Sequence, residues 1–158
     1  MTPAIKVLDT AGVAYELSRY DASEAQGDYG IDASRQLGLS PATVFKTLVA
    51  ETDTHEFVVA IVPVSGRLDL KKLAAAVQAK KSFMADPAQV EKTTGYVLGG
   101  VSPLGQKKPL STVIDAAAEA LDQMHVSGGR RGLEISLDPA ALARLTNARF
   151  ADITAHGA

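Results

Sequence analysis

The sequence of 158 residues contains no cysteine. This absence excludes a disulfide framework, a thiolate metal site and a cysteine nucleophile. Only three histidines are present: His55 in a predicted turn, His125 in a predicted strand and His156 near the end of the chain. Because they are scattered and the carboxylates are not clustered at ligand spacing, the sequence predicts no histidine-dependent triad, no metal site and no cofactor.

Long apolar runs are also missing. No window approaches the roughly 18 apolar residues of a membrane span, and the opening MTPAIKVL lacks the regions of a signal peptide. We therefore expect a cytoplasmic protein that has no membrane partner. The net charge of −2 argues against tight non-specific binding of nucleic acid, which needs a strongly basic surface. An RNA partner would be contacted over a small area only.

The chain has the length and the apolar content to form one domain over residues 1–158, since 46% of its residues are hydrophobic. Pairs of a capping residue and proline, such as Thr2-Pro3 and Asp138-Pro139, predict helix starts. The most apolar segment, 57–64, predicts a strand in the middle of a sheet. Short strand patterns alternate with single helices without a regular βαβ rhythm. This order predicts a mixed α+β fold with a curved β-sheet or barrel flanked by helices.

Two pairs of glycines each follow a short predicted strand. Gly99-Gly100 follows the strand pattern of Tyr96–Leu98, and Gly128-Gly129 follows that of His125–Ser127. Adjacent glycines allow positive φ angles and let a ligand approach backbone N–H groups closely. The spacing is not that of a P-loop. The two turns predict one pocket lined by main-chain donors.

A single cation interrupts an apolar strand pattern at Lys46. Its ammonium lies either at a strand edge in water or in a polar cavity, and the pattern does not choose between them. The polar segment 21–29 predicts a surface loop able to cover a site. Taken together, the residues predict a pocket for an anionic small ligand, whose donors could also stabilise a developing oxyanion.

Five motifs, in order along nearly the whole chain, resemble the YbaK/EbsC family of aminoacyl-tRNA editing proteins. They are VFKTL around Lys46, PVSGRLDLKKLA over 63–74, MADP over 84–87, TGYVLGGVSPLGQKK over 94–108 and VSGGRRGLEI over 126–135. The resemblance is strongest to the members that remove cysteine from mischarged Cys-tRNA(Pro). It implies a barrel-like mixed sheet flanked by helices, the acceptor end of an aminoacylated tRNA as substrate, and prolyl-tRNA synthetase as a transient partner.

The resemblance also implies roles for individual residues. Lys46 matches the essential lysine of the family, which would hold the terminal adenosine and so fix the ester. The backbone N–H groups of Gly99, Gly100 and Val101 would hold the carbonyl oxygen as it gains charge. Glu134 stands where the family pattern has aspartate. The substrate-binding positions implied are Tyr20, Thr47, Ser127, Gly128, Gly129 and Glu134.

The absence of a cysteine nucleophile agrees with the mechanism that this resemblance implies. It implies that the cysteinyl thiol of the substrate attacks its own ester carbonyl, so that catalysis consists of positioning and oxyanion stabilisation. Two alternatives remain open at this point. One is a deacylase of the same superfamily that acts on Ala-tRNA(Pro) or Ser-tRNA. The other is a non-catalytic module that binds a nucleotide or the tRNA acceptor end.

Overall fold

The computed structural model describes residues 1–24 and 28–155. The α-helices are α1 Pro3–Ala11, α2 Tyr29–Leu37, α3 Leu70–Ala76, α4 Pro87–Thr94 and α5 Pro139–Thr146. The strands are β1 Glu16–Arg19, β2 Phe45–Thr52, β3 Phe57–Pro63, β4 Ser82–Met84, β5 Ser111–Asp115, β6 Met124–Ser127, β7 Leu133–Leu137 and β8 Arg149–Ala151. Two 3₁₀ turns, Ala22–Glu24 and Ala116–Ala120, complete the regular structure of the described residues.

The strands form two sheets. A five-stranded mixed sheet has the order β4-β2-β3-β5-β8, and a three-stranded antiparallel sheet has the order β1-β7-β6. An isolated bridge between Val44 and His125 joins the two sheets just before β2 begins. The predicted mixed α+β class is confirmed. The curved surface is made of two sheets that meet at one bridge, and the barrel does not close.

Strand β3 lies in the middle of the larger sheet, as its apolar run predicts. Its side chains alternate between two clusters of buried residues: Val59 and Ile61 belong to one, and Val58, Ala60 and Val62 to the other. Both faces of β3 are therefore covered, and a strand buried on both faces is apolar throughout. This explains why the segment shows no polar alternation.

The capping signals predict the helix starts correctly. The Thr2 hydroxyl accepts a hydrogen bond from the Ile5 N–H at 3.3 Å, and Pro3 opens α1. Asp138 accepts from the Ala140 N–H at 3.1 Å in the same way before Pro139. These side chains satisfy N–H groups that the first helical turn leaves unpaired. No helix within the described ranges has both the length and the apolar character needed to cross a bilayer.

The prediction of a strand over Tyr96–Leu98 is wrong. Helix α4 ends at Thr94, its C-cap Gly95 has a left-handed φ of 81°, and the chain then turns instead of extending. The Tyr96 ring enters the core and its hydroxyl donates to the Leu104 carbonyl at 2.6 Å. Val97 and Leu98 stay 52% and 38% exposed. The three apolar residues therefore form a turn in which only Tyr96 is buried. A local apolar pattern does not distinguish such a turn from a strand.

Candidate active site

A cavity of about 660 Å³ opens beside the first half of β2. Strand β4 pairs only with Ala50–Thr52, so the edge of β2 over residues 45–49 has no β4 partner, and these residues line the cavity. The volume falls in the range of about 300–1,000 Å³ typical of small-molecule sites. The polar side chains that line the cavity are those of Tyr20, Asp28, Tyr29, Lys46, Thr47, Ser127, Arg131 and Glu134.

Most of the site residues predicted from the sequence lie around this cavity. They come from β2, from the end of β1, from the turn after α4 and from the strands β6 and β7. The fold therefore brings together positions that are far apart in the sequence. The predicted residues that line the cavity are Tyr20, Lys46, Thr47, Gly99, Val101, Ser127 and Glu134.

Gly100, Gly128 and Gly129 are placed differently from the prediction, because they do not line the cavity. The Gly100 N–H donates to the Val97 carbonyl at 2.9 Å, and the Gly128 N–H donates to the Leu133 carbonyl at 2.8 Å. The Gly129 N–H donates to the Ser127 hydroxyl at 3.2 Å. These three donors hold turns together and are not available to a ligand.

The two glycine turns pack against each other. A Cβ on Gly100 would lie 2.8 Å from the Cα of Arg130. A Cβ on Gly99, whose φ is 85°, would lie 2.5 Å from the Tyr29 ring and 3.0 Å from the Nε of Arg131. Glycine is required here because the second turn and the start of α2 approach too closely for any side chain.

The backbone N–H groups of Gly99 and Val101 differ from that of Gly100, which is hydrogen-bonded. Both residues line the cavity, and neither N–H donates to an acceptor in the described part of the chain. Gly99 is exposed at the cavity, whereas Val101 is buried. Unpaired backbone N–H groups at the wall of a cavity can donate to an oxygen atom that carries negative charge.

Lys46 lies in the cavity wall, on the part of β2 that has no β4 partner. It is partly buried in β2, opposite Val62 in the neighbouring strand. Among the described residues, no carboxylate approaches its ammonium within 4.0 Å. The charge of Lys46 is therefore available to an anionic group of a ligand.

Glu134 places a buried carboxyl group in the wall of the cavity. Its residue is only 5% exposed, and within residues 1–24 and 28–155 its Oε2 atom has no hydrogen-bond partner. Burial raises the pKa of Glu134 to about 8, because removal from water penalises the charged form. Burial also raises the pKa of Tyr20 in the same cavity. The buried hydroxyl of Thr47 likewise lacks a partner in the described chain.

The raised pKa of Glu134 predicts a pH-dependent stability. The folded state holds the proton to about pH 8, whereas the unfolded chain releases it near 4.5. The folded state therefore binds more protons between these values, and the free energy of unfolding falls as the pH rises from about 4.5 to 8, by on the order of a few kcal/mol. Glu134→Gln should abolish this part of the slope in urea denaturation at pH 5, 6.5 and 8.

Glu119, an exposed residue of a 3₁₀ turn, provides a matched control. Glu119→Gln removes the same charge without burial and should retain the slope of the parent protein. A Glu134→Gln variant whose stability changes with pH in parallel with the parent would contradict the assignment.

Tyr29 and Arg131 also line the cavity, although neither was predicted from the sequence as a site residue. The Arg131 guanidinium carbon lies 4.9 Å from the centre of the Tyr29 ring, and its Nε donates to the Leu98 carbonyl at 2.9 Å. In the sequence, Tyr29 belonged to the polar segment 21–29 interpreted as a loop, and Arg131 appeared only within the motif VSGGRRGLEI.

Several residues considered from the sequence lie outside this site. Residues 25–27 of the predicted covering loop and His156 fall outside the described residues. His125 is partly buried in β6, where burial lowers its pKa, and it does not line the cavity. Within residues 1–24 and 28–155, no three side chains of a metal-ligating type come together.

Comparison with known proteins connects this cavity to a family. A model of the aminoacyl-tRNA editing domain matches residues 28–145. A protein of Enterococcus faecalis, described as a candidate Cys-tRNA(Pro)/Cys-tRNA(Cys) deacylase, EbsC, is 37% identical over 154 residues, which cover 97% of this chain and 93% of that protein.

Two solved structures have the same fold. A candidate trans-editing enzyme for prolyl-tRNA synthetase has a TM-score of 0.85 and 25% identity, covering 98% of this chain and 96% of its own. The hypothetical protein APE2540 has a TM-score of 0.86 and 21% identity, covering 97% and 99%. The resemblance carried by the five sequence motifs is confirmed: the chain belongs to the YbaK/EbsC family of aminoacyl-tRNA editing proteins.

Proposed function

We propose that the protein is a trans-editing deacylase that removes cysteine from mischarged Cys-tRNA(Pro). The observation that carries this proposal is a cavity that combines the Lys46 cation with two unpaired backbone donors, at Gly99 and Val101. Among the described residues, its lining contains no cysteine and no histidine. The cavity is therefore equipped to hold an ester and stabilise its oxyanion, but it lacks a conventional nucleophile and base. The name of the Enterococcus relative points to the same substrate.

In this mechanism the substrate supplies the nucleophile. Lys46 holds the phosphate or ribose of the terminal adenosine, and the N–H groups of Gly99 and Val101 bind the ester carbonyl oxygen. The cysteinyl sulfur bonds to the carbonyl carbon, and the ester bond to the ribose breaks. The proton of the thiol passes to the ribose oxygen, and the amino acid leaves as a cyclic thiolactone. Proline and alanine esters lack the thiol and are spared by chemistry more than by fit, since fit distinguishes small side chains by only about 1–3 kcal/mol.

The partners follow from the same substrate. We propose that the protein contacts the acceptor end of the tRNA only, in keeping with its net charge of −2. Prolyl-tRNA synthetase, named for a structural neighbour, would act as a transient partner that supplies the mischarged tRNA. Both belong to translation, and we propose a cytoplasmic location on that ground.

A deacylation panel tests the proposal. We expect the protein to cleave Cys-tRNA(Pro) and to leave correctly charged Pro-tRNA(Pro) intact, measured as loss of acid-precipitable labelled amino acid. Faster cleavage of Ala-tRNA(Pro) or Ser-tRNA would assign it to a sister deacylase. No turnover of any ester, together with binding of the acceptor end, would show a non-catalytic binding module.

A further inference from the structure

Two polar atoms in the cavity wall have no use in the mechanism above. They are Oε2 of Glu134 and Oγ1 of Thr47, which are buried and have no hydrogen-bond partner in the described chain. Buried polar groups almost always have a partner, because leaving one unpaired costs the full desolvation penalty. Both residues line the same cavity. The missing partner is therefore expected to come from a ligand.

The ligand must supply hydrogen-bond donors at this position. A carboxyl group and a hydroxyl can both accept, and the carboxylate form favours a cation. Around the scissile bond of an aminoacyl ester, the carbonyl oxygen only accepts, and the free ribose hydroxyl and the thiol each offer one neutral donor. The α-amino group is the only cation and has up to three N–H donors. The other acid of the lining, Asp28, is exposed and already accepts from the Ile31 N–H at 3.2 Å as the cap of α2. Glu134 is therefore the carboxyl group left for the amine.

We propose that Glu134 and Thr47 bind the α-amino group of the aminoacyl ester, so that the deacylase acts only on esters with a free amine. This inference rests on the proposed function and deepens it by defining the substrate class. Peptidyl-tRNA and formylated aminoacyl-tRNA carry an uncharged amide in place of the amine. They offer one N–H at most and add bulk against the wall formed by β2 and β7. The site therefore spares esters whose amine is already acylated.

The proton chemistry of the pair agrees with this assignment. Burial raises the pKa of Glu134 to about 8, and an α-amino group has a pKa of about 7.7–8.0. Carboxyl group and amine thus compete for a proton on nearly equal terms. With the proton on the carboxyl group the pair consists of two neutral groups, and with the proton on the amine it is a salt bridge. A hydrogen bond joins the two groups in both forms.

Binding of stable analogues tests the inference separately from turnover. The probes are the amide analogue of cysteinyl-adenosine, in which a 3′-amino group replaces the ester oxygen, and its desamino counterpart carrying a 3-mercaptopropionyl group. The desamino probe removes the amine without adding bulk. We expect the parent protein to bind the amine probe about 10- to 100-fold more tightly, the size of one hydrogen bond to a charged group. Isothermal titration calorimetry measures both affinities.

The Glu134→Gln variant completes a double-mutant cycle. It should lose the preference for the amine probe and bind the desamino probe as the parent does, while Glu119→Gln keeps the preference. A variant that weakens both probes equally would show that Glu134 acts through the fold or on the thiol, and this would overturn the inference. Equal binding of the two probes by the parent would overturn it as well.

Failure of the proposed function gives a different result. A protein that prefers the amine probe but does not cleave Cys-tRNA(Pro) upholds the role of Glu134 and refutes the deacylase proposal. A protein that cleaves Cys-tRNA(Pro) and N-acetyl-Cys-tRNA(Pro) at the same rate does the reverse.

Discussion

Lys46→Ala is expected to lower the rate of Cys-tRNA(Pro) deacylation by on the order of 10²-fold or more, the effect of removing one electrostatic contact to the reacting group. Lys46 lies in the cavity wall, with no carboxylate within 4.0 Å among the described residues. Its charge is therefore not consumed by the fold, and the variant should keep the thermal stability of the parent. Single-turnover deacylation with saturating enzyme measures the chemical step directly.

Two further variants show which property of Lys46 matters. Lys46→Arg keeps a cation at the site and should retain part of the rate, although the planar guanidinium differs in shape from an ammonium. Lys71→Ala removes an exposed lysine of α3 that is not part of the cavity lining and should have no effect. A Lys46→Ala variant with nearly the parent rate would mean that this lysine does not contact the substrate.

Replacing the cysteinyl thiol of the substrate with a hydroxyl should slow cleavage far more than it weakens binding. Serine and cysteine differ by one atom, and fit alone separates such side chains by about 10- to 200-fold at most. A thiol is a far better nucleophile, since a few per cent of it is ionised near neutral pH. We therefore expect the single-turnover rate for seryl-tRNA(Pro) to be lower than that for the cysteinyl ester by more than about 200-fold. The dissociation constants of the two esters should stay close to each other.

The product of the reaction provides the independent check. Mass spectrometry of a rapid quench should detect the cyclic thiolactone before water opens it to free cysteine. Equal rates for the cysteinyl and seryl esters would contradict the substrate-thiol mechanism. Such a result would point to a water molecule as the nucleophile, bound by groups such as Ser127 in the cavity wall.

The sequence predicts those parts of the fold that depend on local chemistry. The caps at Thr2-Pro3 and Asp138-Pro139 start helices because a side-chain oxygen and a fixed φ act within one turn. The apolar run of β3 predicts a central strand because both of its faces are covered. Lys46 was also identified from a local pattern, because it is a single charge within an otherwise apolar strand.

Features that depend on long-range packing escape prediction from the sequence. The turn at Tyr96 depends on a hydrogen bond to Leu104 eight residues later. The Gly100 N–H is hydrogen-bonded within a turn, and no sequence pattern specifies that turn. Tyr29 lies at the cavity beside Arg131, which is about a hundred residues away in the sequence and lies over its ring.

The glycine turns limit the ways in which such a site can change its amino-acid preference. On their side of the cavity, any added Cβ at Gly99 or Gly100 would collide with Tyr29, Arg130 or Arg131, so that wall cannot be remodelled one side chain at a time. Other lining residues, among them Met84, Pro87 and Val90, have side chains that can change in size. A new amino-acid preference would therefore be acquired through α4 and the end of β4, while the wall that holds the ester keeps its shape.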